Sequence, residues 1–252
     1  MRKIFDMYID FSKLFHRASK NKDEGGPIIS ADISQWPEAW KTIFYKIYER
    51  LPVHGLSRKA PERDPGLFSS IRSRKSGRSF ASTPISKEEL STLLLYSCGE
   101  IAEDESLTKR SQPSGGSRYP VETYVLVFRS QGDLPAGVYH YNVRDHSLEC
   151  MCVREFTKSD IEKLFVYPWV QDAAAVLVLT GVFPRTKIKY GQRGYRYTLL
   201  EAGHIGQNIY LVSGALGLQC CGMGGSYDTA IEELLDIDGE HESVLYTLAV
   251  GK

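Results

Sequence analysis

Three stretches of this 252-residue chain carry residue types that suit a planar, phosphorylated, redox-active ligand. Arg72-Ser73-Arg74-Lys75-Ser76-Gly77-Arg78-Ser79-Phe80 places four cations within seven residues, with hydroxyls between them. Such a set neutralises a phosphate dianion and donates charge-assisted hydrogen bonds to it. In Gln112-Pro113-Ser114-Gly115-Gly116-Ser117-Arg118-Tyr119-Pro120, two adjacent glycines let the backbone approach a flat ligand closely, and Ser114 can hydrogen-bond its polar edge. Cys221-Gly222-Met223-Gly224-Gly225-Ser226 offers backbone N–H groups as a nest for oxygen or nitrogen acceptors. Each stretch also has a plain structural alternative: a solvated basic loop, a turn before a strand, and a glycine-rich helix C-terminus.

A fourth stretch, Arg185 to Tyr197, is dense in cations and phenols for a connector, with Lys189-Tyr190 near its middle. A basic surface loop is its alternative. Other chemistries lack their residues. The histidines (His16, His54, His140, His146, His204, His241) show no metal-ligand spacing, and no GxSxG turn points to a hydrolase. The five cysteines form one CxC and one CC with no CxxC pair, which reads as free thiols in a reducing compartment and as no metal site.

These stretches need elements to hold them. Lys87 to Ser97 carries Leu90, Leu93, Leu94 and Tyr96 at helical spacing behind a Ser86/Glu89 capping-box pattern. Val121 to Phe128 and Gly137 to Tyr141 are β-rich and joined by QGDLPA, which predicts a hairpin. Ala173 to Val182 reads as a strand buried on both faces. Tyr197 to Leu216 predicts one long helix, apolar or small on most sides, as a helix buried in a subunit interface would be. Thr229 to Leu235 predicts a short helix and Ser243 to Val250 a last strand. Strands and helices mix without a strict βαβ rhythm, so the expected class is α+β. Before residue 71 the chain shows only short helical patterns, Ile4 to Ala18 and Trp40 to Arg50, which predicts an N-terminal helical extension over 1–70 and a main domain over 71–252.

Balanced charge, 31 basic against 31 acidic residues, leaves no overall field to draw nucleic acid or an anionic membrane. The longest apolar run, Ala173 to Leu179, is far short of the ~20 residues a membrane span needs. Charges in the opening MRKIFDMYIDF disrupt a signal-peptide core, so a cytoplasmic protein is expected.

Taken in order, the segments resemble the nitroreductase superfamily, and within it the SagB-type azoline dehydrogenases. Arg74-Lys75-Ser76-Gly77-Arg78-Ser79-Phe80 followed by Pro84-Ile85-Ser86-Lys87-Glu88-Glu89-Leu90 is similar to that family's opening FMN signature, with Lys75 where a second arginine is usual. Pro113-Ser114-Gly115-Gly116 leading into Tyr119-Pro120-Val121-Glu122, and the helix Glu201-Ala202-Gly203-His204-Ile205-Gly206-Gln207-Asn208, resemble the SagB-type versions of later segments. The likeness covers about residues 70 to 252, and more faintly Phe15 to Ser19.

The resemblance implies a nitroreductase-like FMN-binding fold: a central, mainly antiparallel sheet flanked by helices, and a long buried helix at the interface of a homodimer. Three separated stretches would then converge on FMN at the subunit boundary. Arg74, Lys75, Ser76 and Arg78 would contact the ribityl phosphate and pyrimidine edge of FMN. Pro113, Ser114, Gly115 and Gly116 would form the turn against the isoalloxazine, with Gly222, Gly224 and Gly225 near its N5 and O4 side. Relatives supply a further cation after the last strand, a role open here to Lys252 alone. The family's Lys-Tyr pair matches Lys189-Tyr190, implicated in oxidising thiazoline or oxazoline rings of a peptide to azoles by proton abstraction and hydride transfer to flavin N5, with molecular oxygen as final acceptor. Tyr190 is the preferred base with Lys189 its activator, and the reverse assignment stays open. Cyclodehydratase proteins are implied as partners. Two other readings compete: a general NAD(P)H-dependent nitroreductase or flavin reductase, and a non-catalytic flavin-fold scaffold in a biosynthetic complex.

Overall fold

The computed structural model describes residues 10–20, 32–61, 64–104, 107–130 and 132–252. Its centre is a seven-stranded sheet in which every neighbouring pair is antiparallel. The strands are β1 (Val53–Gly55), β4 (Val121–Val127), β5 (Gly137–Asn142), β6 (Ser147–Val153), β7 (Ala175–Val182), β8 (Gln219–Met223) and β9 (Glu242–Gly251), in the order β1-β6-β5-β4-β7-β9-β8. A separate hairpin pairs β2 (Glu100–Asp104) with β3 (Leu107–Arg110). The helices are α1 (Phe11–Ala18), α2 (Glu38–Lys41), α3 (Leu67–Ser73), α4 (Lys87–Cys98), α5 (Lys158–Leu164), α6 (Pro184–Tyr190), α7 (Arg193–Ala215) and α8 (Asp228–Leu235).

The period of two along β7 explains the layers. Ala175, Leu177 and Leu179 feed one core with Leu90, Leu93 and Leu94 of α4 and Ile205 and Ile209 of α7. Val176 and Val178 feed the other with Ile161 and Leu164 of α5 and Ile231 and Leu235 of α8. Helices therefore flank both faces of the sheet, an α+β architecture as the sequence implied. Registers Val125↔Leu177 and Leu177↔Leu248 tie β4, β7 and β9 into its middle. The Ser86/Glu89 capping box forms with both of its hydrogen bonds. Among the described residues no helix is long and apolar enough to cross a membrane, and no group of three or more His, Cys, Asp or Glu side chains could hold a metal.

Several boundaries differ from the sequence reading. The long helix starts at Arg193 rather than Tyr197, and helix α6 occupies much of the expected connector before it. Cys221 to Met223 belongs to edge strand β8, not to a helix C-terminus. The first part of the Ile4 to Ala18 pattern lies outside the described residues, as does Gln131 in the QGDLPA connection. The expected helix over Trp40 to Arg50 does not form: only Glu38–Lys41 is helical, Thr42 turns extended, and residues 43–48 belong to no helix or strand. Two forces account for this. The buried Arg118 guanidinium takes the carbonyls of Trp40 and Thr42, which a continuing helix would need for itself. Lys46 reaches the Glu242 carboxylate at 2.6 Å and the Tyr124 hydroxyl at 2.6 Å, pinning the strap to the sheet. The hydroxyls of Tyr124 and Thr180 donate to the other Glu242 oxygen at 2.9 and 2.7 Å.

Candidate active site

The turn before β4 and the end of α6 meet face to face. Gly116 has φ +63, and a Cβ there would fall on the Tyr190 hydroxyl and within 2.8 Å of Lys189 Nζ. A side chain in place of hydrogen is thus excluded by both conformation and space. Two non-glycine neighbours share the left-handed region, Ser117 at φ 55 and Tyr119 at φ 45, each at a cost of about 1–2 kcal/mol. Hydrogen bonds hold the strained turn. The Tyr119 N–H donates to Ser114 Oγ at 2.8 Å and Arg185 Nη1 donates to the Tyr119 carbonyl at 2.9 Å, while the Arg110 guanidinium stacks 4.4 Å above the Tyr119 ring. Pro113 is exposed at the head of the turn.

Lys189 is 5% exposed, and its Nζ has no hydrogen-bond partner. The Trp36 ring centroid lies 3.1 Å from that nitrogen and the Trp40 centroid 5.8 Å away, so residues from the extension close one side of it. Burial, aided by the Arg118 charge, holds the Lys189 ammonium below its ordinary value. Tyr190 moves the other way: burial, with the Tyr197 phenol, raises it in spite of Arg118. The Tyr190 and Tyr197 rings meet edge to face, with centroids 4.9 Å apart. The two shifts run opposite ways because burial favours the neutral form of each group, the free amine of Lys189 and the protonated phenol of Tyr190.

Beneath the turn lies a carboxyl that sequence reasoning passed over. Glu201 of α7 is 2% exposed, accepts the Ser114 hydroxyl at 2.5 Å and accepts the Gln112 amide at 3.2 Å. Arg118 and Arg185 were likewise unassigned. Arg185 pairs with Glu122 at 2.5 Å, Glu122 with His140 Nε2 at 3.1 Å, and His140 Nδ1 with Glu149 at 2.8 Å, all inside the protein. Burial would raise Glu122, but Arg185 and His140 hold it down at about 2. A buried acid in an apolar helix and an arginine directly before a strand were the available signals.

The other segments gather elsewhere on α7. Arg74, the C-cap of α3, lies 5.4 Å from the centroid of the Tyr210 ring. The Tyr210 hydroxyl meets Ser76 Oγ at 3.1 Å and accepts the Gly222 N–H at 2.6 Å. Gly77 donates to the Cys220 carbonyl at 2.9 Å, laying the basic segment along edge strand β8. Arg72, Arg74, Lys75 and Arg78 are exposed, and none forms an ion pair among the described residues. A Cβ on Gly224 would meet open space, whereas one on Gly225 would strike the Tyr167 ring at 2.8 Å. Lys252 turns aside to Glu89, 3.5 Å away. Tyr210→Phe should cost about 1–3 kcal/mol in urea unfolding, because it strips the Gly222 N–H of its acceptor, and should speed hydrogen exchange at Gly77 and Gly222.

Within one chain, then, the proposed site residues fall into two groups: Ser114, Gly115 and Gly116 with Lys189 and Tyr190, and Arg74 and Ser76 with Gly222. Tyr210 and Glu201 mark them on α7, nine positions and about 13.5 Å apart.

Comparison with known proteins identifies the family. The nitroreductase family model matches residues 71–252. A nitroreductase-family protein of Methanocaldococcus jannaschii, MJ1384, is 33% identical over 179 residues, 71% of this chain and 87% of that protein. The trifolitoxin-processing protein TfxB of Rhizobium leguminosarum is 30% identical over 174 residues, 64% of this chain and 43% of TfxB. This chain also covers 51% of the Escherichia coli microcin B17-processing protein McbC, at 29% identity over 145 residues. Among solved structures, a nitroreductase from Anabaena variabilis superposes with TM-score 0.73 at 26% identity, over 95% of this chain and 45% of that one. The E. coli McbBCD microcin synthetase complex, with truncated pro-MccB17 bound, shares the fold with TM-score 0.62 at 21% identity, over 96% of this chain and 91% of that one. A match over residues 71–252 by the family model, together with the fold, establishes that the chain belongs to the nitroreductase family.

Proposed function

We propose that two copies of this chain form a homodimer that holds FMN at its boundary and oxidises azoline rings of a peptide to azoles. The observation that carries the reading is the buried, unpartnered Lys189 Nζ set with the Tyr190 hydroxyl against the Gly115-Gly116 turn.

The residues fit the cofactor. The exposed cations Arg74, Lys75 and Arg78, without ion pairs among the described residues, would take the phosphate together with Ser76, and Gly224 opens on free space where a ring could approach the backbone. The two groups are marked by residues about 13.5 Å apart along α7, and α7 keeps Leu199, Leu200, Gly203, His204 and Gln207 exposed along one face. A second copy covering that face would bring the phosphate group of one chain to the turn of the other. Lys252, engaged by Glu89, is the weakest member of the cation set.

FMN bound there supplies hydride acceptance at N5. Lys189, with its proton affinity lowered, takes the ring proton of the azoline. Tyr190 keeps its proton and donates a hydrogen bond to the ring heteroatom. Trp36 and Trp40 exclude water from Lys189, so the short segment that carries them acts as a cap on the site. Names of relatives that process trifolitoxin and microcin B17 support a peptide substrate, and the McbBCD complex supports cyclodehydratase partners.

Purified protein is expected to be dimeric and yellow and to release one FMN per protomer on denaturation. An azoline peptide should bleach the flavin absorbance under anaerobic conditions. Bleaching by NADPH with no response to the peptide overturns the azoline reading in favour of a general reductase, and a colourless protein that takes up no added FMN overturns both.

A further inference from the structure

Glu201 is a buried acid without a salt bridge. Among the described residues no cation pairs with it, and the charges that act on it, Arg110 of β3 and Arg185 of α6, do so at longer range. Burial pushes its carboxyl up to about 7 against the hydrogen bonds of Ser114 and Gln112 and against those two arginines. Both protonation states are therefore populated near neutral pH.

The geometry makes the two states different for Ser114. One lone pair of Ser114 Oγ is taken by the Tyr119 N–H in either state. With Glu201 ionised, the hydroxyl must give its proton to Oε2, 2.5 Å away, and a ligand finds only the remaining lone pair. With Glu201 protonated, Gln112 Nε2 keeps Oε1 as an acceptor, so the carboxyl proton lies on Oε2 and points at Ser114. Ser114 then accepts from Glu201, and its own O–H is freed to donate outward.

We infer that Glu201 is a positioning residue that sets the hydrogen-bond polarity Ser114 presents to a bound heteroaromatic ring. Ionised, it leaves an acceptor for a ring N–H; protonated, it releases a donor for a ring oxygen or nitrogen. The inference rests on the reading that the Ser114–Gly116 turn faces the flavin ring, and it assigns Ser114 to the pyrimidine edge, where N–H and carbonyl groups alternate. Nothing in it requires Glu201 to touch the ligand.

The coupling is testable without flavin. Infrared difference titration of the ligand-free protein should show a carboxyl C=O band that titrates near neutral pH and is absent in Glu201→Gln. Ser114→Ala should move that titration to higher pH, because the hydroxyl's stabilisation of the carboxylate is gone. With FMN, whose own phosphate titrates at about 6 in every variant, the wild-type Kd should carry a further change of about five- to tenfold across neutral pH, the worth of one hydrogen bond, which Glu201→Gln removes while keeping the fold. An FMN pH profile identical in wild type and Glu201→Gln, or a titration indifferent to Ser114→Ala, overturns the inference and leaves the flavin reading standing. A coupled titration with no FMN uptake at any pH overturns the flavin reading and upholds the Glu201–Ser114 pair.

Discussion

Replacing Lys189 with methionine is expected to lower kcat for azoline oxidation by about two to four orders of magnitude, the usual worth of a positioned general base, with FMN content near wild type. Methionine keeps the length and apolar stem of lysine between the indoles and removes only the amine. The pH dependence identifies which member of the pair takes the proton. A base acts when deprotonated, as the neutral amine of lysine or the phenolate of tyrosine, so activity rises with pH through its pKa. Burial and Arg118 place Lys189 below its ordinary 10.5, whereas burial places Tyr190 above its ordinary 10.0. The rising limb should therefore lie below 10.5 and vanish in Lys189→Met while persisting in Tyr190→Phe. A limb that disappears in Tyr190→Phe and survives in Lys189→Met restores the opposite assignment. Trp36→Ala, by letting water reach Nζ, should shift the limb upward. Gly116→Ala should approach the loss of Lys189→Met, since its Cβ would occupy the space of the Tyr190 hydroxyl and crowd Lys189.

Arg185→Ala should be the most destabilising single change near the site, at about 3–5 kcal/mol, because it leaves Glu122 charged and buried without its partner. Urea unfolding at neutral pH measures it. The sign of its pH dependence follows from linkage. Glu122 is held at about 2 in the folded wild type against an ordinary 4.5, so its contribution is present above 4.5 and is lost as pH falls toward 2. Arg185→Ala removes that depression, and the gap between variant and wild type should narrow below 4.5. His140 works at the other end. Burial lowers it, but the hydrogen bonds its ring donates to Glu122 and Glu149 raise it overall, so its contribution is complete below the ordinary 6.5 and is lost as pH rises through the higher folded value. Wild-type stability should fall at both extremes. A gap that stays constant down to pH 3 would show that Glu122 does not depend on Arg185.

The same arginine links stability to the site. Its guanidinium holds Glu122 and the Tyr119 carbonyl together, and its own carbonyl accepts from Arg118 Nε at 3.2 Å. Arg118 in turn grips the carbonyls of Trp40 and Thr42, which set Trp36 and Trp40 beside Lys189. The segment carrying Trp36 and Trp40, the turn before β4 and helix α6 are thus joined by two buried guanidinium groups.

Local pattern alone settled what local forces settle. The capping box of α4, the alternation that buries β7 on both faces, the β4–β5 hairpin and the apolar length of α7 are written in nearest neighbours, where period and propensity act. So were the basic segment and the glycine turn, because cations and adjacent glycines are visible without a partner. Contacts between residues far apart in the chain decided the rest. The Cys221 to Ser226 stretch could be read as a nest or a helix end because Gln219–Met223 is a strand only by pairing with β9, and residues 42–48 leave the helix because Arg118 and Glu242 hold them so. The proton affinities of Lys189 and Tyr190 turn on desolvation, and that of Glu201 on what surrounds it. A side chain's identity is local, but its proton affinity belongs to the dielectric that the whole fold builds around it.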